Sequence, residues 1–490
     1  MSISSKALQR SFLVAASFGA IAISQPALAE DCLLDRNNNG TVDAGTDNDG
    51  GANSNDADAN LACGVGATAT GTDSTATGAN STASGYSSTA TGAVSTASGT
   101  QSTATGTRSL ANQINSTATG YGSVASGANG TATGAVSTAS GQHSTATGES
   151  STAAGLESTA TGMNSAADFT RSTATGAGSA ASSVQSTATG AYSEASGYNS
   201  TTTGAYSTAT DENATANGYG SHATGVNSTA SGTSSQATGV SATATGASSQ
   251  ASGESSTATG ASSTATSTRS TATGANSKAS SIQTTANGYN SQATGFNSSA
   301  IGALSTASGG SSTATGATST ASGGSSTANG FNSQATQIDT TASGANSTAS
   351  GQSSTSIGAS STASGTDSTA TGANSAASGV NSLAAGSGST ASGTQATAIG
   401  MGSLADAFDS SAIGTLSRAT GQFSTATGAL SEASGRQSTA NGAYATASGE
   451  RSIAIGGDGA DGDFLGAKAS ATETIAIGND SLSDFAGAMA

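Results

Sequence analysis

Large and charged side chains are scarce in this chain of 490 residues. It contains no Trp, one Pro, two Cys and two His, while aromatic residues make up 3% and charged residues 8% of the total. A composition so poor in large apolar residues is ordinarily that of a disordered chain. Disorder is therefore the default expectation, and a folded structure has to be argued from patterns in the sequence.

The same scarcities argue against catalysis and against polyanionic partners. His143 and His222 both occupy repeat positions, and the plentiful Ser residues have no base near them in sequence. We therefore expect no enzyme activity. The formal net charge is −17 at pH 7. This acidity disfavours nucleic acid and an anionic membrane surface as partners.

What the chain does have is a seven-residue repeat that runs from residue 67 to residue 458 without an insertion or deletion. The heptad at residues 74–80 shows the pattern: Ser, a variable residue, Ala, a small polar residue, Gly, and two free positions. A flexible chain would tolerate changes of length, because lengthening a loop costs little. Strict phase therefore predicts that each heptad stacks on others, which argues against disorder.

A period of fourteen residues lies within this repeat. When heptads are numbered from residue 74 as zero, isolated Ile residues at the fourth position fall in even heptads: Ile301, Ile357, Ile399, Ile413 and Ile455. Long polar residues at the second position fall in odd heptads: Glu194, His222, Gln236, Gln250, Lys278, Gln292, Gln334, Arg418 and Glu432. Because burying an unpaired charge is costly, the odd positions should face water. The even positions should face something that excludes charge.

These patterns predict an all-β fold, a parallel β-roll or solenoid whose fourteen-residue coils each contain two heptads. Thr favours strands. Ala at the third position would point away from positions two and four, into a space that admits only a methyl group. Gly at the fifth position would provide a turn with positive φ or a close approach of two backbones.

Residues 1–29 have the features of a secretory signal peptide. Lys6 and Arg10 form a basic start, residues 12–23 form a short apolar core, and Ala27 and Ala29 fit the small-residue cleavage rule. The apolar core is too short to span a bilayer as a stable helix. We therefore expect export and no direct membrane span.

Residues 30–66 form a different module, bracketed by Cys32 and Cys63. In an exported protein such a pair predicts a disulfide. The segment between them resembles an EF-hand-type or dockerin-type calcium loop, with ligands from Asp35, Asn37, Asn39, the Thr41 carbonyl, Asp43 and Asp47. Thr46 stands where such loops carry an acid, and Asp47 follows one residue late. The alternatives are a calcium site that orders a cap on the first coil and a solvated acidic spacer.

Residues 459–490 break the phase of the repeat. An intervening segment is followed by TIAIGND at Thr474, one residue out of register. This pattern predicts a bulged loop and a last coil, which would serve as a C-terminal cap or as a junction to another component.

Aromatic residues are concentrated at the sixth and seventh positions of the heptads, which are predicted turns. Such residues at the rim of a solenoid suit contact with a partner. The alternative is packing between neighbouring coils or chains. The candidate contact residues are Tyr86, Tyr121, Tyr198, Tyr219, Tyr289, Phe296 and Phe331.

Several heptads carry a motif that resembles a known family. SIAIGGD at Ser452, ATAIGMG at Ala396, SSAIGAL at Ser298 and TIAIGND at Thr474 resemble the head repeat of trimeric autotransporter adhesins, the YadA-type or haemagglutinin-like repeat. The resemblance implies a left-handed parallel β-roll, three chains packed side by side, and adhesion. Most even heptads here contain TATG rather than VAIG, so the covered face is more polar than is usual for the family.

We therefore expect a secreted or cell-surface adhesin-like head, at the outer membrane or outside the cell. It would form a homotrimer and attach to host cells, extracellular matrix or other surfaces without catalysis. One alternative is an ice-binding β-solenoid, because pairs such as Thr75 with Thr77 would stack into a flat grid. Another is a structural protein of a surface layer or matrix. The Ile residues and the thin core favour a buried subunit interface over an ice-binding face.

Overall fold

The computed structural model describes residues 50–55, 59–459 and 464–490. Every regular element within these ranges is a β-strand, numbered β1 to β60, and none is a helix. The chain divides into two compact units, residues 1–139 and residues 140–490. In each unit the strands of even heptads form one parallel sheet, here named the even sheet, and those of odd heptads form the odd sheet.

In the N-terminal unit, even-sheet strands have three residues and odd-sheet strands have two. The even sheet contains β1 Leu61–Cys63, β3 Thr75–Thr77, β5 Thr89–Thr91, β7 Thr103–Thr105, β9 Thr117–Thr119 and β11 Thr131–Thr133. The odd sheet contains β2 Thr68–Ala69, β4 Thr82–Ala83, β6 Thr96–Ala97, β8 Leu110–Ala111, β10 Val124–Ala125 and β12 Thr138–Ala139.

The C-terminal unit repeats this arrangement. Its even sheet contains β13 Thr145–Thr147, β15 Thr159–Thr161, β17 Thr173–Thr175, β19 Thr187–Thr189, β21 Thr201–Thr203, β23 Thr215–Asn217, β25 Thr229–Ser231, β27 Thr243–Thr245, β29 Thr257–Thr259, β31 Thr271–Thr273, β33 Thr285–Asn287, β35 Ser299–Ile301, β37 Thr313–Thr315, β39 Thr327–Asn329, β41 Thr341–Ser343, β43 Thr355–Ile357, β45 Thr369–Thr371, β47 Leu383–Ala385, β49 Thr397–Ile399, β51 Ser411–Ile413, β53 Thr425–Thr427, β55 Thr439–Asn441, β57 Ile453–Ile455 and β59 Ile475–Ile477. Its odd sheet contains β14 Thr152–Ala153, β16 Ala166–Ala167, β18 Ala180–Ala181, β20 Glu194–Ala195, β22 Thr208–Ala209, β24 His222–Ala223, β26 Gln236–Ala237, β28 Gln250–Ala251, β30 Thr264–Ala265, β32 Lys278–Ala279, β34 Gln292–Ala293, β36 Thr306–Ala307, β38 Thr320–Ala321, β40 Gln334–Ala335, β42 Thr348–Ala349, β44 Thr362–Ala363, β46 Ala376–Ala377, β48 Thr390–Ala391, β50 Leu404–Ala405, β52 Arg418–Ala419, β54 Glu432–Ala433, β56 Thr446–Ala447, β58 Lys468–Ala469 and β60 Leu482–Ser483.

The register of the sheets shows that one coil is two heptads. Within each unit, paired strand residues of the repeat lie fourteen positions apart, as in Thr75 with Thr89 and Lys278 with Gln292. The predicted all-β parallel solenoid with fourteen-residue coils is therefore confirmed. Near the C-terminus Ile453 instead pairs with Ile475, because the chain between them contains an insertion. The last coil forms on the same two sheets after this interruption.

The interior of the solenoid is built from the smallest side chains. Third-position Ala residues have no exposed surface, and the core clusters of the C-terminal unit consist of Ala alone. First-position Ser residues are buried beside them, and the largest fully buried side chains are Thr and Ser. The two sheets therefore approach too closely for a larger side chain. The third position therefore faces a narrow interior, as predicted, but the limit to a methyl group is too strict, because Thr202 and Ser356 are fully buried at third positions.

The fifth position plays different roles in the two heptads. Even-heptad Gly residues have φ between +115° at Gly274 and +143° at Gly456, a region that only Gly adopts readily. A Cβ at Gly274 would also lie 2.7 Å from the carbonyl carbon of Gly288 in the next coil. The odd fifth position does not have positive φ, so Phe169 and Ser183 can replace Gly there. The two expected roles of Gly, positive φ and close approach of two backbones, therefore occur together at the even fifth position.

First-position Ser residues also differ between the two heptads. In odd heptads the hydroxyl donates to a Gly carbonyl three residues earlier, as in Ser263 Oγ to Gly260 O at 2.9 Å. Within the described chain, many even-heptad hydroxyls, such as that of Ser256, have no hydrogen-bond partner. Other even-heptad hydroxyls donate to the residue three positions earlier, as in Ser172 Oγ to the Phe169 carbonyl at 2.6 Å and Ser326 Oγ to the Gly323 carbonyl at 2.7 Å.

Replacing Ser263 by Ala should destabilise the surrounding coils, whereas replacing Ser256 by Ala should be neutral or slightly stabilising. The first variant leaves the Gly260 carbonyl without the hydroxyl that it accepts from, at a cost of about 0.5–1.5 kcal/mol. The second removes a buried hydroxyl that has no partner. Native-state amide exchange of β29 and β30 would measure both. Equal effects in the two variants would contradict the assignment.

Candidate interaction surfaces

Each coil presents four outer surfaces. Second- and fourth-position side chains point outward from the even sheet and the odd sheet, opposite to Ala at position three. We name the sixth and seventh residues of even heptads the even turn, as at residues 79–80. The corresponding residues of odd heptads form the odd turn, as at residues 86–87. Seventh residues have positive φ, such as 54° at Asn80 and 51° at Ser87, and Asn tolerates this conformation well.

The even sheet is uncharged in the part of the chain that the structure describes. Its outward positions carry mostly Thr, together with exposed Ile residues in the C-terminal unit. Ile399 and Ile413 are neighbours in register, as are Ile455 and Ile477. The outward fourth-position Ile residues are between 38% and 56% exposed: Ile301, Ile357, Ile399, Ile413, Ile455 and Ile477. A single chain thus leaves apolar side chains in water along this sheet.

The odd sheet carries the charged and long polar side chains. Lys278 and Arg418 are exposed on β32 and β52, in the sheet opposite to Ile399. Arg418 is adjacent in register to Glu432, and the amide groups of Gln250 and Gln236 lie 3.5 Å apart. The predicted separation of charged residues and Ile onto two walls of the solenoid is confirmed.

The aromatic residues selected from the sequence do not form one site. All seven are between 50% and 58% exposed, but they divide between two turns. Those in the even turn are Tyr121, Tyr219, Tyr289 and Phe331. Those in the odd turn are Tyr86, Tyr198 and Phe296. Their role in ligand contact stays a prediction.

An aromatic ladder occurs in the even turn of three successive coils. The rings of Tyr192 and Tyr206 stack with centroids 5.4 Å apart, and Tyr219 packs edge-on to Tyr206 at 5.7 Å. Gly178 makes room at one end, because a Cβ there would lie 2.7 Å from Tyr192 Cδ1. Tyr219, one of the candidate contact residues, therefore packs against the neighbouring coil of its own chain. The sequence signal for the ladder was two Tyr residues fourteen positions apart.

Polar ladders follow the odd turn. Asn199, Asn213 and Asn227 are linked by successive amide hydrogen bonds of 2.8 Å and 3.0 Å. Arg171 Nε lies 2.8 Å from Glu157 Oε2 in the preceding coil. That hydrogen bond and the charge of Arg171 lower the pKa of the Glu157 carboxyl below its ordinary value. Both side chains are exposed, so these contacts order the turn more than they stabilise the fold.

The predicted calcium ligands lie outside the described residues: Asp35, Asn37, Asn39, Thr41, Asp43 and Asp47. Cys32 lies outside them as well. Cys63, at the end of β1, is disulfide-bonded, and its pairing with Cys32 stays a prediction. Among the residues that are described, no three His, Cys, Asp or Glu side chains are grouped closely enough to hold a metal ion.

Residues 50–55, 59–459 and 464–490 contain no helix of sufficient length and apolar character to cross a bilayer.

The family model for the YadA head domain repeat matches most of the chain. The matched segments are residues 62–81, 83–109, 111–137, 139–165, 195–210, 210–235, 223–249, 237–263, 251–277, 265–291, 279–305, 293–319, 321–347, 349–375, 377–403, 405–431 and 433–458. The chain belongs to the YadA head domain repeat family. A search of curated proteins finds no match.

Family membership agrees with the geometry of the coils. The resemblance of the AIG-containing heptads to trimeric autotransporter adhesin heads is confirmed. YadA-type heads belong to adhesins of the cell surface, which indicates an adhesin-like surface protein here. One stretch without a match, residues 166–194, contains Phe169 and Ser183 in place of odd-heptad Gly. The structure keeps both sheets in this stretch, because the fifth position of odd heptads does not require positive φ.

Proposed function

We propose that this chain is the non-catalytic head of an exported adhesin. Three copies assemble with their even sheets between them, and the odd sheet and odd turn face the host or matrix surface. The observation that carries the proposal is that the described even sheet has exposed Ile residues and no charged residue.

The composition of the interior supports association. A core of Ala and Ser buries little apolar area per residue, whereas full burial of one Ile side chain contributes about 1.5–3 kcal/mol. Ile399 and Ile413 are each about two-fifths exposed in the single chain. Covering them with a second copy would remove that apolar surface from water. The family resemblance supports three copies, since YadA-type heads are trimeric adhesins.

Sedimentation equilibrium and a binding assay together test this proposal. We expect the purified mature chain to sediment at three times its chain mass. We also expect it to adhere to immobilised extracellular-matrix proteins or cultured cells. A single-chain mass at micromolar concentration would contradict the assembly. Thermal hysteresis from such single chains would favour the ice-binding alternative instead.

A second proposal concerns residues 30–66. Calcium bound by Asp35, Asn37, Asn39, the Thr41 carbonyl, Asp43 and Asp47 would order a cap beside the first coil. Calorimetric titration of the full chain with Ca²⁺ tests this directly. The double variant Asp35→Asn/Asp43→Asn should lose the binding, and unchanged binding would reject this ligand set.

A further inference from the structure

The even and odd turns of the C-terminal unit differ in charge. From residue 163 to residue 444, no even-turn residue is charged, although Glu149 and Asp458 occupy the even turns on either side of this stretch. The odd turn over the same stretch carries charged side chains at Arg171, Glu212, Glu254, Arg269, Asp339, Asp367, Asp409 and Arg436. The two turns recur equally often, so the difference is a property of the side of the solenoid.

Backbone conformation does not explain this difference. Seventh residues of both turns have the same positive φ, as at Tyr206 with 58° and Arg269 with 56°. An even turn also accepts charge, since Arg108 occupies one in the N-terminal unit with φ of 59°. Apolar residues occur in both turns, so the distinguishing feature is the absence of charge. That absence points to surroundings that exclude water.

We propose that the even turn between residues 163 and 444 is covered by a neighbouring copy of this chain. The inference rests on the proposed trimer and adds a second surface to it. In a cyclic trimer each subunit presents two different patches to its two neighbours. The uncharged even sheet is one patch, and the uncharged even turn directly after each of its strands is the other. The even turn of one copy therefore packs against the even sheet of the next.

The side chains of the even turn suit this role. Nine large apolar residues there are between 46% and 58% exposed in the single chain: Met163, Tyr192, Tyr206, Tyr219, Tyr289, Leu304, Phe331, Met401 and Leu416. Aromatic and Met side chains are typical of the buried centres of protein interfaces. Thr and Ile on the even sheet provide an uncharged surface that these side chains can contact.

This inference separates the candidate aromatic residues of the C-terminal unit into two groups. Tyr219, Tyr289 and Phe331 become contacts between subunits. Tyr198 and Phe296, in the odd turn, remain exposed and available to a ligand.

Thiol labelling of the full chain tests the inference. Tyr289→Cys and Phe296→Cys lie in adjacent heptads, and their parent side chains are 57% and 55% exposed in the single chain. Each variant is first checked for trimer mass by sedimentation and then reacted with a maleimide probe. We expect Phe296→Cys to react at the rate of a free thiol and Tyr289→Cys at least tenfold more slowly. Equal rates in trimers would overturn the inference and leave the proposed trimer intact.

A second pair guards against failure of one variant to assemble. Leu304→Cys in the even turn and Ser311→Cys in the odd turn repeat the comparison one coil later. The same slow and fast reactions are expected. Single-chain mass for the unmodified protein would overturn both the proposed trimer and this inference, so the two failures are distinguishable.

Discussion

Replacing Ile399 and Ile413 together by Lys should reduce the assembled protein to single chains. The two residues are neighbours in register on the even sheet, so the variant places two like charges side by side in the proposed interface. Burying an unpaired charge costs several kcal/mol. Two such charges per chain correspond to a loss of about 10⁴-fold or more in affinity. Sedimentation equilibrium before and after the change measures this directly.

The matched control places Lys at two neighbouring positions of the odd sheet. Thr306 and Thr320 are adjacent in register there, and Lys278 shows that the same position accepts Lys. Thr306→Lys/Thr320→Lys should therefore keep the trimer mass. Circular dichroism should show an unchanged sheet content in both variants, because both sets of side chains point outward. A trimer that survives Ile399→Lys/Ile413→Lys would refute the even sheet as the interface.

The sequence was sufficient to predict the coil. Its fourteen-residue length and its pattern of side chains both follow from the stacking of each coil on the next. Stacked coils hydrogen-bond along their whole length, so an insertion in one would shift every later contact. Residue type at each position indicates which way its side chain points. Ala76 faces the narrow interior, whereas Lys278 faces water. These features depend on burial and charge, which are properties of residue type.

Other features could not be predicted because they depend on the backbone. The sequence shows Gly at the fifth position of both heptads but does not show that, of these two positions, only the even one requires positive φ. The residues that replace Gly at the fifth position, such as Phe169 and Ser183, all lie in odd heptads, and the geometry explains why. The hydrogen bonds of the first-position Ser residues also cannot be read from residue type, because Ser326 donates to the carbonyl of Gly323 whereas Ser256, which also follows an odd Gly, has no partner. The division of the candidate aromatic residues into two turns required the stacking of the coils.

Residue type and backbone geometry together assign the outer surfaces of the solenoid to solvent or to contact between chains. Charge marks the odd sheet and odd turn as solvent-facing. Its absence marks the even sheet, and the even turn between residues 163 and 444, as candidates for contact between chains. A ligand would then meet Lys278, Arg418 and the odd-turn aromatics first. Ligand-binding variants should therefore be sought on the odd side, where substitutions do not disturb the proposed assembly.

Gly274→Ala should open the solenoid locally, whereas Ser281→Ala should leave it closed. Both residues are at the fifth position, in adjacent even and odd heptads, so the pair isolates the effect of the turn. A side chain at the φ of +115° found for Gly274 costs about 1–3 kcal/mol. Its Cβ would also lie 2.7 Å from the Gly288 carbonyl carbon, which forces neighbouring coils apart. Ser281 already carries a Cβ without positive φ.

The expected result is a local change, because each coil of a solenoid contacts mainly its neighbours. Native-state amide exchange in β31 and β33 should become at least tenfold faster in Gly274→Ala, since about 1.4 kcal/mol corresponds to tenfold. Exchange in distant strands such as β13 should not change. Unchanged protection in β31 and β33 would mean that the fifth position of even heptads tolerates a side chain. The strict Gly at the even fifth position would then need another cause.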